Sequence, residues 1–254
     1  MTPPEAERAV IDVVMPAHNE GATIAATLRE FHRQVAVADG IPIRFIICED
    51  GSSDDTLQVL EGLRGELPIH LVHGEERKSY SRAVIDGLRA AGSEVVGALD
   101  ADGQCDPRDF RALLEALEGR DLAIGFRSPR SDSGLRRAMS SAFRALYRLL
   151  FRIDARDPSC PYVLIRRDLL NRVLAGRIGI LKQGFWWEFL ARAVAEGARL
   201  AEVPVRHRPR AAGRSRVYGL TELPAIACSH VLGLFRLKNE LSSRFSALDG
   251  ARGS

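Results

Sequence analysis

The stretch GALDADGQCDP (97–107) runs from small apolar residues into two aspartates, Asp100 and Asp102, with Gln104 two residues on and Pro107 closing the turn. Like charges at that spacing repel, and each raises the pKa of the other. Two carboxylates and an amide oxygen at a strand end form a hard-oxygen half-site. It suits Mg2+ or Mn2+, with water and a substrate phosphate completing the shell. No cluster of His or Cys accompanies it, which argues against zinc. The plainer alternative is a helix N-cap in a solvated turn. Asp106, just ahead of Pro107, already supplies that cap, so Asp100 and Asp102 need another reason.

Outward from this stretch, strand-like runs alternate with helical patterns. AVIDVVM (9–15), PIRFIICED (42–50), PIHLVHG (68–74), SEVVGALD (93–100) and RDLAIGFR (120–127) read as strands. Segments 20–38, 54–66, 81–92 and 106–119 read as helices. This alternation predicts an α/β fold, a Rossmann-like, mostly parallel sheet flanked by helices. In such sheets ligands bind at the carboxyl ends of the strands. The polar clusters PAHNE, EDGSSDD and DADGQ, and Arg127, all fall there. Ser53 or Asp54 is expected to cap the second helix.

The chain has 254 residues and a formal net charge of +3. Residues 127–156 carry a net +6 and residues 199–218 a net +5, leaving the remainder acidic. Two basic blocks point to anionic partners: phosphates, a membrane surface or nucleic acid. Aromatics are scarce among these arginines, so no nucleic-acid partner is expected. The four cysteines form no CxxC pair, as in reduced, buried thiols. MTPPEAERAV has no apolar signal core, and LPAIACSHVLGLF (223–235) is too short to span a bilayer. LRRAMSSAFRALYRLLFRI (135–153) sets Met139, Phe143, Leu146, Tyr147 and Leu150 on one face and Arg137, Arg144, Arg148 and Arg152 on another. It reads equally as a membrane-interface helix or as a helix packed on the sheet with a solvated arginine face. The expected location is cytoplasmic and peripheral, on the cytoplasmic face of the membrane. The histidines do not cluster and read as structural. At least one of Arg206 and Arg208 is expected simply to face water.

The ordered block VVMPAHNEGATI, IICEDGSSDDT and VVGALDADGQCDP resembles the family-2 glycosyltransferases of GT-A fold, over about residues 10–210. The resemblance implies a nucleotide-diphosphate sugar donor. Pro16, Ala17, Asn19, Glu20 and Ala101 would line its pocket, Asp50 would read the base, and Gly51 would allow close backbone approach. Asp100, Asp102 and Gln104 would hold Mg2+ or Mn2+ on the pyrophosphate. EVPVRHRPRAAGRSRV (202–217) further resembles a phosphate-binding segment of the polyprenyl-phosphate group, typified by dolichol-phosphate mannose synthase. Arg210, Ser215 and Arg216 stand at the matching positions, the last where Lys is usual. The group's pattern also makes Arg127 a catalytic arginine and Arg137 and Ser140 acceptor-phosphate residues, beside Asp102 and Arg210.

Departures are present. CPYV (160–163) replaces a Gly-Phe-Arg segment, so a basic side chain is missing at Val163, and ERKSYSRA (76–83) stands where an Asn-Gly-rich stretch is common. The implied reaction is inverting transfer to a polyprenyl phosphate by a catalytic domain over 1–217, with 218–254 an amphipathic helix and tail. One alternative is transfer to a glycan or small-molecule hydroxyl with Glu188 as base, although Glu188 reads more readily as an exposed helix residue beside Trp186 and Trp187. A second is a sugar nucleotidyltransferase, whose Gly-rich signature is absent from VVMPAHNEG.

Overall fold

The computed structural model describes residues 10–128, 134–181, 184–209 and 223–252, with side chains of 134–140, 223–227 and 247–252 outside the description. The elements are β1 (Ile11–Ala17), α1 (Gly21–His32), β2 (Ile43–Asp50), α2 (Thr56–Leu63), β3 (Ile69–Gly74), α3 (Tyr80–Ala90), β4 (Val95–Ala98) and α4 (Phe110–Ala116). There follow β5 (Leu122–Arg127), α5 (Gly134–Phe151), β6 (Val163–Arg166), α6 (Arg167–Ala175), α7 (Phe185–Ala195), β7 (Leu200–Val205) and α8 (Leu223–Arg252).

The sheet has seven strands in the order β3-β2-β1-β4-β6-β5-β7. All run parallel except β6, which pairs antiparallel with both β4 and β5. Central parallel strands are covered on both faces, so they read as continuous apolar runs. β1 does so: Val13, Val14 and Met15 are fully buried. Its buried Asp12 accepts both Arg44 Nε (2.8 Å) and Nη2 (3.0 Å), and the N–H groups of Gly92 and Ser93. That satisfied carboxylate ties the amino ends of β1, β2 and β4 together, away from the site.

Two features depart from the expected pattern. The helix expected over 20–38 is α1 followed by a π-helical turn, Arg33–Ala38, which keeps Val35 buried while Val37 stands 70% exposed. β6 and β7 are additional strands. β6 has three buried residues, too few for a periodic signal, and its place is set by pairing of Val96 with Ile165 and Ala123 with Leu164. β7 carries Pro204, which has no donor and is accommodated because β7 is an edge strand.

α5 and α7 meet through Phe143 and Tyr147 against Trp187, with the Tyr147 hydroxyl donating to Trp187 O. α8 buries Leu234, Leu237 and Leu241, while Leu232 and Phe235 are exposed. The buried leucines share one face of α8, and Leu232 and Phe235 add apolar side chains outside it. No helix among the described residues is long and apolar enough to cross a membrane. The expected domain boundary at 217 falls outside the described residues.

Candidate active site

The carboxyl ends of β1, β2, β4 and β5 converge, as parallel topology requires, and bring the sequence-predicted residues together. The loops after β1 and β2 are stitched to each other. Asn19, at φ 56°, accepts Ser53 N–H at 2.8 Å and donates its own N–H to Ser52 Oγ at 3.0 Å. Glu20 N–H donates to Thr56 Oγ1 (2.9 Å), and His18 Nδ1 lies 3.0 Å from Asp50 O. Pro16 and Ala17 end β1 beneath this seam. The N-cap position of α2 is Asp55, not Ser53 or Asp54, and it makes no side-chain cap bond; Asp54 Oδ1 instead accepts Thr56 N–H at 3.0 Å just ahead of the helix.

Asp50 is buried, and its two oxygens accept Lys78 N–H (2.7 Å) and Ser79 N–H (3.0 Å). It therefore organises segment 75–79, which lies over Gly51. Gly51 has φ +61°, and a Cβ there would come within 2.7 Å of Arg77 N, so the glycine is required by the close packing of the chain's own segment 75–77. Ser79 sits at φ 97°, ψ 158°, a conformation that suits glycine. Neighbouring Glu49 accepts Ser52 N–H and His73 Nδ1, both at 2.6 Å. Burial works against its charge, yet these bonds hold its pKa below the usual value.

After β4, Asp100 and Asp102 line a cavity of about 100 Å3 that Gln104, Arg127 and Cys160 also line, with Ala101 buried between the two aspartates in sequence. Burial, and then the charge of Asp102, push the Asp100 pKa up to about 6. Tyr80 Oη donates to Asp100 Oδ1 at 2.8 Å and accepts Trp186 Nε1–H at 2.9 Å. Gln104 turns its amide N–H to Arg208 O (3.0 Å), and its own backbone N–H to Asp102 Oδ1 (3.0 Å). A bridge between Cys105 and His207 lays the segment after β7 beside this loop. Burial pushes the Cys160 thiol up to about 12 and the Cys105 thiol well above its ordinary value.

No group of three or more His, Cys, Asp and Glu among the described residues could hold a metal. Two crowded carboxylates, one strained toward neutrality by its surroundings, fit a divalent ion that shares its remaining positions with substrate oxygens.

Arg127 is held by buried Asp157 through Nε (2.7 Å) and Nη2 (3.0 Å), and Nη2 also donates to Ser159 Oγ (2.7 Å). Burial opposes its charge, but the Asp157 bonds and charge dominate and raise its pKa. Asp106 caps the 3-10 turn Pro107–Asp109 as expected and also pairs with Arg108 and with Arg208 Nη2 (2.9 Å).

Two expectations are corrected here. Neither Arg206 nor Arg208 simply faces water: Arg206 is bound by Asp109, and Arg208 by Glu30 as well as Asp106. Glu188 is not exposed but fully buried. Its oxygens accept Gly179 N–H (3.0 Å), Leu181 N–H (2.8 Å) and Arg192 Nε (2.9 Å), and Arg192 continues to Glu240 on α8. The i,i+4 spacing of Glu188 and Arg192 was the sequence signal for this pairing. Arg137 and Ser140 lie in α5 with side chains outside the description, and Arg210, Ser215 and Arg216 lie outside the described residues. Tyr80, Trp186 and Asp157 are site residues that sequence reasoning missed. The first stands in the segment ERKSYSRA (76–83).

A mostly parallel sheet with stitched loops after its first two strands and an acid pair closing β4 defines a glycosyltransferase of GT-A fold. More narrowly, the chain belongs to glycosyl transferase family 2, whose model matches residues 12–174. It is 30% identical over 215 residues to an uncharacterized glycosyltransferase of Mycobacterium tuberculosis, covering 82% of this chain and 90% of that protein. It is 27% identical over 215 residues to undecaprenyl-phosphate mannosyltransferase of Micrococcus luteus, covering 81% and 86%. In fold it is similar to glucosyl-3-phosphoglycerate synthase of M. tuberculosis, solved with Mn2+, UDP and phosphoglyceric acid. There the TM-score is 0.69 at 22% identity, over 91% of this chain and 78% of that one.

Proposed function

We propose that this glycosyltransferase moves a sugar from a nucleotide-diphosphate sugar to a polyprenyl phosphate at a membrane surface, with inversion at the anomeric carbon. The observation that carries the choice of acceptor is the state of Glu188. A hydroxyl acceptor needs a base, and Glu188 is enclosed among two backbone N–H groups and Arg192. A phosphate oxygen is already ionised at neutral pH and needs none. Relatives named for polyprenyl-phosphate sugar transfer support the same acceptor.

In this reading the loops after β1 and β2 (Pro16, Ala17, Asn19, Glu20, Asp50 and Gly51) hold the nucleoside. Asp100 and Asp102, with the carboxamide oxygen of Gln104 as a further candidate, hold Mg2+ or Mn2+. The ion would neutralise charge on the departing diphosphate. Arg127, clamped by Asp157 and Ser159, presents Nη1 to phosphate oxygens from a fixed position. Arg137, Ser140, Arg210, Ser215 and Arg216 are the proposed acceptor-phosphate contacts. The acceptor oxygen bonds to the anomeric carbon as the bond to the diphosphate oxygen breaks. Catalysis then rests on positioning and electrostatics. The protein is proposed to sit peripherally on the cytoplasmic face of the membrane. Exposed Arg144, Arg148 and Leu149 on α5 are suited to an anionic headgroup layer.

The test is a transfer assay with radiolabelled UDP- and GDP-sugars, Mn2+ or Mg2+, and a short polyprenyl phosphate, counting label in the organic phase. Label that enters the lipid and is lost in Asp102→Ala is expected. Hydrolysis of the donor, or label only on water-soluble acceptors, would move the reading to a hydroxyl acceptor.

A further inference from the structure

We infer that Tyr80, held by Trp186, is a positioning residue that sets how Asp100 meets the divalent ion; this rests on the proposed metal site at Asp100 and Asp102. An indole N–H can only donate, so at 2.9 Å from Trp186 Nε1 the Tyr80 oxygen must be the acceptor. The single proton of Tyr80 is then directed to Asp100 Oδ1, at 2.8 Å. The order of donation along Trp186, Tyr80 and Asp100 has no alternative while the carboxylate is ionised. It occupies one lone pair of Oδ1, so Oδ2 is the oxygen that would be left to hold the ion.

The surroundings make this a rigid device. Trp186 is 5% exposed and packs edge-on against Phe185 and Phe189, with ring centroids 4.9 and 5.7 Å away. Tyr80 opens α3, and its neighbours are anchored on both sides. Ser79 N–H is taken by Asp50 Oδ2, and Ser81 Oγ donates to Leu181 O. Leu181 N–H is in turn held by Glu188. Tyr80 is 37% exposed as a residue, while Trp186, which fixes its hydroxyl, is buried. Hydrogen-bond partners of metal ligands commonly set metal affinity by 10–100-fold.

The experiment titrates Mn2+ alone into the metal-free full-length protein and follows free Mn2+ by electron paramagnetic resonance. Wild type is compared with Tyr80→Phe, Trp186→Phe, Asp100→Asn and Asp102→Ala, with melting curves for each. Tyr80→Phe is expected to bind Mn2+ about tenfold more weakly with a melting temperature near wild type. Trp186→Phe, which keeps the tyrosine proton but loosens its direction, should show a smaller loss. Wild-type affinity in Tyr80→Phe, with affinity lost in both aspartate variants, overturns the inference and leaves the metal site standing. Wild-type affinity in both aspartate variants overturns the metal site and the inference together. If Tyr80→Phe does not fold, Trp186→Phe decides: unchanged affinity there overturns the inference.

Discussion

Arg127 and Asp157, thirty residues apart in sequence, lock side-on at 2.7 and 3.0 Å across the end of β5. Asp157 is 3% exposed and the Arg127 side chain 27%, so the pair is largely out of water. The carboxylate fixes the plane of the guanidinium, and Nη1 is the nitrogen that neither Asp157 nor Ser159 engages. Asp157→Asn should leave a mostly buried cation without its counter-charge. The expected cost is about 2–3 kcal/mol, below the 3–5 typical of a fully buried pair because Arg127 is partly solvated. Urea unfolding measures it, and transfer activity should fall as the guanidinium swings.

Ser79 holds a backbone conformation that glycine adopts without penalty, at φ 97°. Relief of that strain, less the extra unfolded-state freedom of glycine, should make Ser79→Gly more stable by about 1 kcal/mol. Thermal unfolding reads the sign directly.

Asp100 should make the metal-free protein less stable as pH rises. Its folded pKa is raised from 3.8 to about 6, by burial first and then by Asp102. Below about pH 4 the carboxyl is neutral in both states and costs nothing. Between about pH 4 and 6 the unfolded chain ionises more readily, and stability is lost; above that the penalty is constant. Asp100→Asn, unfolded with chelator present, should therefore gain about 2–3 kcal/mol over wild type at pH 8 and nothing at pH 3.5.

Glu188→Gln separates a structural carboxylate from a catalytic one. The amide would set an N–H against a backbone donor and strip Arg192, 4% exposed, of its inner charge. A loss of about 3 kcal/mol in stability is expected, with the residual folded fraction still active. A collapse of kcat at unchanged stability would restore the base.

Arg144 and Arg148 are exposed on α5, and Leu149 between them and the next turn is 77% exposed. Replacing both arginines by Glu should abolish flotation with vesicles containing anionic lipid and leave transfer to a short, soluble polyprenyl phosphate. Equal flotation of the two proteins would remove the membrane role from this face.

The sheet core was legible because buried parallel strands leave continuous apolar runs. β1, β2, β3 and β5 lie within about two residues of their predicted bounds for that reason. β6 was not, since three apolar residues after two prolines carry no period, and only tertiary pairing gives them a strand. The acid pair and its loops were legible as polar clusters at strand ends. Their support was not, because it depends on partners distant in sequence: Tyr80 reaches Asp100, Asp109 takes Arg206, and Glu30 takes Arg208. Glu188 misled because a carboxylate beside two tryptophans suggests a helix surface, whereas the backbone donors that bury it come from Gly179 and Leu181.

The antiparallel β6 also dictates an order of assembly on the ribosome. β1 to β4 can pair as soon as they emerge, but the outer edge of β4 has no partner until Val163–Arg166 is made, and β5 pairs only with strands synthesised later. A growing chain that has emerged only as far as residue 130 therefore displays a second open sheet edge, on β4 in addition to that of β3, and one orphan strand, the state most exposed to intermolecular pairing. The four-stranded half built from β1 to β4 can pair early, and its safety from aggregation depends on prompt translation of the strand that joins it to the rest.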